Sequence, residues 1–214
     1  MSTDEADREW VRRQLARLES VYGRRRWKLL EPSTDMYDLL AESEDRALQT
    51  TVDHIARHLE LATVPTAQFE WGLKMAPEVA GDIRISCAAV GGSVIRIPFF
   101  YVGKPYALGS ILAHELSHHL NAVEGVWEGD RDENERLTDL SAIASGMGKL
   151  VLNGMSTEAC GIPGAAFRLG YLEVQTLLYA YEVVNRRFEI GARQATAGLL
   201  PDVVSRLSEF KQQP

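Results

Sequence analysis

The sequence predicts an α+β fold in which a small antiparallel or mixed sheet is followed by a helical C-terminal part. The period of its apolar residues carries this reading. They recur at helical spacing up to about residue 61 and alternate with polar residues between about 67 and 97. From about residue 108 onward the helical spacing returns. The chain has 214 residues, 45% hydrophobic and 25% charged, which is enough to bury one core. Residues 1–66 read as an N-terminal helical segment and 67–214 as the main domain, the two forming one compact unit.

Each element has its own signal. Thr3 to about Tyr22 is an amphipathic helix with Val11, Leu15 and Leu18 on one face. Arg24 to Asp35, containing Pro32, is a connector. A second helix from about Ser43 to Leu61 carries Leu48, Val52, Ile55 and Leu59. Pro65 then changes the period: Phe69, Trp71 and Leu73 alternate as a strand does, and Ile83 to Cys87 repeats the alternation. Gly91-Gly92 marks a turn before Val94 to Ile97. Pro98 cannot donate to a ladder, so Ser93 to Phe99 suits a sheet edge. Leu108 opens a helix that Gly125 ends, with Leu112, Leu116, Leu120 and Val123 as its apolar stripe. Asp130 or Asp132 caps another helix, expected to run to about Leu152; Gly146 and Gly148 inside it imply close packing. Gly161 to Gly164 is a break, Leu172 to Arg187 a helix, and Pro201 opens a last helix through about Phe210.

The chemistry concentrates in His114-Glu115-Leu116-Ser117-His118. On a helix, His114 and His118 stand one turn apart and face the same way, so both rings can hold one metal ion. Glu115 lies beside them, where it can take a proton from a water that zinc has acidified. A third ligand must come from elsewhere. Asn121 and Glu124 occupy the positions where a metzincin has glycine and a third histidine, which excludes that arrangement. The following helix offers Glu135 and Asp139, four residues apart on one face. A metal-bound histidine usually donates its other ring N–H to a carboxylate. Glu135 as ligand with Asp139 as that acceptor satisfies both needs. Asp139 as the ligand, with Glu135 on the surface, is the alternative, and Glu124 and Glu128 are weaker ones.

Asn134-Glu135 through Asp139, following the His114–His118 helix, resembles the corresponding segment of thermolysin-like gluzincins. Residues from about Ile83 to Gly148 look like the core of such a metallopeptidase. Thr138-Asp139-Leu140, Gly146, Gly148 and Leu169-Gly170-Tyr171-Leu172 resemble compact bacterial zincin-like proteins. The resemblance implies a zincin-like fold over 67–214, its sheet packed on the metal-binding helix. It also implies a single zinc as cofactor and hydrolysis of a peptide bond in a peptide or protein substrate lying along a sheet edge. Residues before about Ala67 match nothing in this pattern. A second electrophile should stabilise the oxyanion; Tyr171, Tyr179, Tyr181 and His119 can donate, and Tyr171 is preferred because it is expected to begin the helix after the Gly170 break. The contrasting expectation is a regulatory or interaction protein that keeps the zinc site but cleaves one partner, or none, with its N-terminal helices docking that partner or covering the cleft. A purely structural zinc conflicts with Glu115, because structural sites rarely keep a base beside an open position.

Other features have plainer readings. His119 is turned about 100° from His118 and is expected to be packed and bonded to backbone. His54 and His58 read as a helix-surface pair. The acidic loop from Glu124 to Glu133 reads as a solvated connection whose Trp127 covers the core. In a functional reading its carboxylates, Glu128 and Asp130 among them, select basic side chains and Trp127 lines a subsite. Arg24-Arg25-Arg26 and Lys28, interleaved with Trp27, read as a solvated edge. The net charge of −7 argues against a nucleic-acid partner. Cys87 and Cys160 are isolated, as free thiols in a reducing cytosol would be. With no apolar leader and no membrane-spanning run, a soluble cytoplasmic location is expected.

Overall fold

The computed structural model describes residues 3–23, 28–42, 44–70, 93–156, 159 and 170–212. Trp71, Leu73, the strand expected at Ile83–Cys87, the Gly91-Gly92 turn, the Arg24–Trp27 run, the break at Gly161–Gly164 and both cysteines lie outside them. In chain order the elements are α1 (Thr3–Tyr22), α2 (Thr34–Ala41), α3 (Asp45–His58), β1 (Thr66–Glu70) and β2 (Val94–Pro98). A single turn of 3₁₀ helix, Phe99–Tyr101, then leads into α4 (Pro105–Glu124). There follow α5 (Arg131–Ala142), α6 (Gly148–Gly154), α7 (Val174–Arg187), α8 (Ala192–Thr196) and α9 (Pro201–Gln212). The described residues are therefore mostly helical, with a two-stranded sheet. None of their helices is long and apolar enough to cross a membrane.

Helix α2 falls where the sequence suggests only connector and unassigned chain. Ser33 starts it, its hydroxyl accepting from Met36 N at 3.2 Å, and Met36, Tyr37 and Leu40 bury its inner face. Two turns are too short for a periodicity signal, so the cap and the packing make this helix. Helix α3 is correspondingly shorter than expected, beginning at Asp45.

Strands β1 and β2 pair in parallel, Thr66 opposite Val94 and Glu70 opposite Pro98. Antiparallel pairing, one of the two arrangements expected, does not occur between them. Parallel strands need a long connection between them, and β1 and β2 are far enough apart in the chain to allow one. Side chains of α3 bind the β1 backbone: Ala67 N donates to Gln49 Oε1 and Phe69 N to Asp45 Oδ1, both at 2.8 Å. Ile95 and Ile97 of β2 are buried.

Helix α4 is the centre of the molecule, in contact with α2, α3, α5 and α6. Leu108, Leu112, Leu116 and Leu120 are fully buried, whereas Val123 is 57% exposed and does not belong to the stripe. Each buried leucine contributes about 1.5–3 kcal/mol. The helix is buried around most of its circumference, so it has no simple division into a packing face and a metal face. Gly125, in the left-handed conformation, ends it as expected.

The helix carrying Glu135 does not run through to Leu152. It ends at Ala142, and the chain makes one wide turn over Ile143–Met147 before α6 begins. Gly146 causes the break. Its φ is +88°, its carbonyl accepts from Leu30 N at 2.9 Å, and a Cβ there would lie 1.8 Å from Lys28 O. Gly148 is needed for space instead, since its Cβ would meet the Tyr181 ring at 2.6 Å. The buried apolar side chains from Trp10 to Leu207 form one cluster that includes α1 and α9.

Candidate metal centre

His114 and His118 project from the middle of α4 toward Glu135 on α5. One atom from each of the three lies within 4.8 Å of the others, and no other group of three such ligands exists among the described residues. Glu135 Oε2 is 3.1 Å from His114 Nε2 and 2.9 Å from His118 Nε2. Ligands 2.0–2.2 Å from a tetrahedral zinc lie about 3.3 Å from one another. Both distances to Glu135 are thus close to the spacing that ion requires.

The outer ring nitrogens settle the tautomers. His114 Nδ1 donates to Asp139 Oδ1 at 2.8 Å, because a carboxylate can only accept. His118 Nδ1 is 3.1 Å from Thr138 Oγ1, whose own hydrogen goes to Asn134 O at 2.9 Å. Thr138 therefore accepts from His118 Nδ1–H. Metal binding requires neutral rings, and in that state both Nε2 lone pairs would face Glu135 Oε2, an acceptor. Three acceptors converging on one point repel unless a cation or a proton stands among them. This donor set fits zinc. Burial opposes the charged form of His114, but its bonds to Asp139 and Glu135 hold its pKa well above the ordinary histidine value.

Asp139 is itself held. Its Oδ2 accepts from Tyr171 N at 2.5 Å and from Leu172 N at 2.9 Å. The chain reaches it through Gly170, whose φ is +106° and whose Cβ would fall 2.8 Å from the same oxygen. Asp139 thus orients His114 while anchoring the segment that leads into α7. It is 2% exposed, as suits an orienting carboxylate rather than an open ligand.

Glu115 adjoins the triangle without belonging to it. It is 4% exposed, and its Oε2 has no hydrogen-bond partner. Burial pushes its carboxyl up to about 8, with nearby His114 lowering it and Glu135 raising it. An orphaned buried carboxyl oxygen beside a candidate cation site is placed to take up a proton.

Of the four proposed oxyanion donors, only Tyr171 adjoins the site, its ring stacked on His114 at 6.2 Å between centroids and 21° between planes. It does not begin the helix, as expected, but sits in a bend three residues ahead of α7, its N–H held by Asp139. The Tyr179 hydroxyl meets Arg12 of α1, and the Tyr181 hydroxyl donates to Ala195 O at 2.7 Å. His119 is buried, bonded to Thr63 O at 3.1 Å and to Ser93 Oγ at 3.3 Å, which ties α4 to the start of β2. His58 is not on the surface with exposed His54; it turns inward, and its Nε2 donates to Ser145 O at 2.9 Å. Thr138 has a role that sequence reasoning missed. Its position three residues after Glu135, on the same helix face, was the available signal.

The acidic loop departs from its expected form. Trp127 is 77% exposed and covers no core. The Glu128 carboxylate is bound by Arg17 and by Gln14 Nε2 at 3.1 Å, and Asp130 caps α5 by accepting from Glu133 N at 3.0 Å. Both carboxylates are committed to the fold. Helix α1 extends the clasp: Trp10 Nε1 donates to Glu133 Oε2 at 2.9 Å, and Arg136 donates to Asp7 at 2.8 Å while covering the Trp10 ring. These contacts hold the turn that presents Glu135.

No family model, curated protein or solved structure matches this chain.

Proposed function

We propose that the protein is a zinc-dependent hydrolase of gluzincin type, with a zincin-like fold, that cleaves peptide bonds. His114, His118 and Glu135 hold the ion, and Asp139 and Thr138 keep both Nε2 lone pairs turned inward. One observation carries the reading: the two histidine Nε2 atoms and a Glu135 oxygen converge beside a buried carboxyl whose Oε2 has no partner. A bound zinc supplies Lewis acidity, which acidifies water and polarises a carbonyl. Glu115 takes a proton from the attacking water as the water oxygen bonds to the carbonyl carbon. When the carbon–nitrogen bond breaks, Glu115 returns that proton to the leaving amine, giving a carboxylic acid and an amine. Tyr171, against His114, is the donor nearest the developing oxyanion.

The test separates binding from chemistry. The purified protein should contain about one zinc per chain, and His114→Ala or His118→Ala should remove it. Glu115→Gln should keep the metal and lose turnover of a proteome-derived peptide library, read by mass spectrometry. Glu135→Ala should weaken zinc more than Asp139→Ala in a chelator competition. Full zinc content in His114→Ala, or unchanged turnover in Glu115→Gln, would overturn the proposal.

A further inference from the structure

His119 directly follows His118 but faces another part of the molecule, about 100° further round α4. Its ring is buried and reaches the two segments that lead into the strands. Nε2 lies 3.1 Å from both the carbonyl oxygen and the hydroxyl of Thr63, shortly before β1 begins. Nδ1 lies 3.3 Å from the hydroxyl of Ser93, the residue before β2. A carbonyl can only accept, so Nε2 carries a proton. Burial holds the pKa of the ring below its ordinary value, against the bond to Thr63, which leaves Nδ1 to accept from the Ser93 hydroxyl. The two segments are also joined to each other, Thr66 N donating to Ser93 O at 2.9 Å. One imidazole therefore fastens the starts of both parallel strands to the helix that carries the candidate metal ligands.

Strand geometry explains why a polar fastening is needed there. Side chains two residues apart share a face of a strand, so Ser93 stands in the row of Ile95 and Ile97, both of which are buried. Apolar burial has no preferred direction, and by itself it would let β2 slide along its own axis. The bond from Ser93 to His119 is directional and fixes that offset. Further along β1, Gln49 and Asp45 bind the backbone of Ala67 and Phe69, but they tie the strand to α3 and not to α4. His119 is one residue from His118, so the offset it fixes is an offset from the metal centre itself.

We infer that His119 is a positioning residue: by holding Thr63 and Ser93 it sets the offset between β2 and the metal centre at which an extended substrate presents its scissile carbonyl. The inference rests on the peptidase reading, with β2 as the strand along which the substrate lies. Such a substrate is held by main-chain hydrogen bonds to the strand. It must reach the strand and the metal at once, and a misplacement of about 1 Å costs on the order of a hundredfold in rate. A short substrate that does not extend along β2 is indifferent to the offset. His119 touches neither ion nor substrate and acts through the strand.

The first arm of the test needs neither zinc nor turnover. Amide hydrogen exchange in the full-length protein should be about tenfold faster at Thr66 in His119→Leu and in the milder Ser93→Ala, with rates in α6 and α7 unchanged. His119→Gln, whose amide can both donate and accept, should restore the wild-type rate. Unchanged exchange at Thr66 in both variants would overturn the fastening. In the second arm, zinc-loaded wild type and variants are given the peptide library. The ratio of kcat/KM on the longest peptides cut to that on the shortest should fall at least about tenfold in His119→Leu and Ser93→Ala, and recover in His119→Gln, at constant zinc content. An equal loss on long and short peptides, or no loss, would overturn the positioning role, because a residue that only stabilises the fold does not distinguish them. A wild type that cuts no peptide would defeat the peptidase reading, and the substrate role of His119 with it, while the exchange arm still decides the fastening.

Discussion

Glu115 combines burial, a missing partner and a carboxyl pushed up to about 8. With zinc stripped, this has a stability consequence whose sign follows from linkage. The folded pKa lies above the ordinary value of 4.5, so folding favours the protonated form. The contribution is fully present below about 4.5 and is lost as pH rises through about 8. Glutamine carries no charge at either pH. Chelator-stripped Glu115→Gln should therefore melt above stripped wild type at pH 8 and alongside it at pH 4, by about 2–4 °C for each kcal/mol relieved. Calorimetry at the two pH values checks this, and equal melting at pH 8 would contradict a buried, uncompensated carboxyl. The neighbouring residues show how legible such a site is. His114, Glu115 and His118 are adjacent in sequence and can be read at once. Thr138 becomes visible only when α5 lies against α4, because a threonine in a helix has many ordinary uses.

Between elements, the decisive contact is the grip of Asp139 on the segment entering α7. Gly170 occupies a left-handed backbone position with no space for a Cβ. Gly170→Ala should push Asp139 away from His114 Nδ1 and lower zinc affinity about 10–100-fold, the usual cost of losing an orienting partner. A competitive chelator titration beside Asp139→Asn measures it, and unchanged affinity would show that the segment does not position the carboxylate. The pairing of Glu135 and Asp139 on one helix face was readable from their four-residue spacing. The backbone donors of Tyr171 and Leu172, more than thirty positions away, were not. For the same reason the break at Gly146 escaped notice, since only the Lys28 backbone makes a side chain impossible there.

At the scale of the whole molecule, the candidate metal site joins elements that one core holds together. Helix α1 packs on α5 and α7, and its Trp10, Gln14 and Arg17 brace the turn and loop beside Glu135. A ligand that binds only the folded state stabilises it by about 4.1 kcal/mol at a thousandfold excess over Kd. For a chain of this size that corresponds to roughly 8–16 °C in Tm. Wild type should show a drop of that order when chelator is added, whereas His114→Ala should melt at the same temperature with and without it. A wild-type Tm indifferent to zinc and chelator would show that the triangle does not bind the ion in the folded state.

The sequence by itself determined the helix bearing both histidines, the glutamate between them, the acidic pair on the next helix and the α+β sequence of elements. Each depends on spacing within one element, and the periods of helix and strand are properties of the local backbone. The tertiary structure decided the parallel pairing of β1 and β2, the existence of α2, the break at Gly146, the tautomers of both histidines and the surroundings of Trp127. Those depend on which distant groups meet. A lone tryptophan in an acidic loop reads the same whether it covers the core or faces water, until Arg17 and Gln14 on the first helix claim the neighbouring carboxylate.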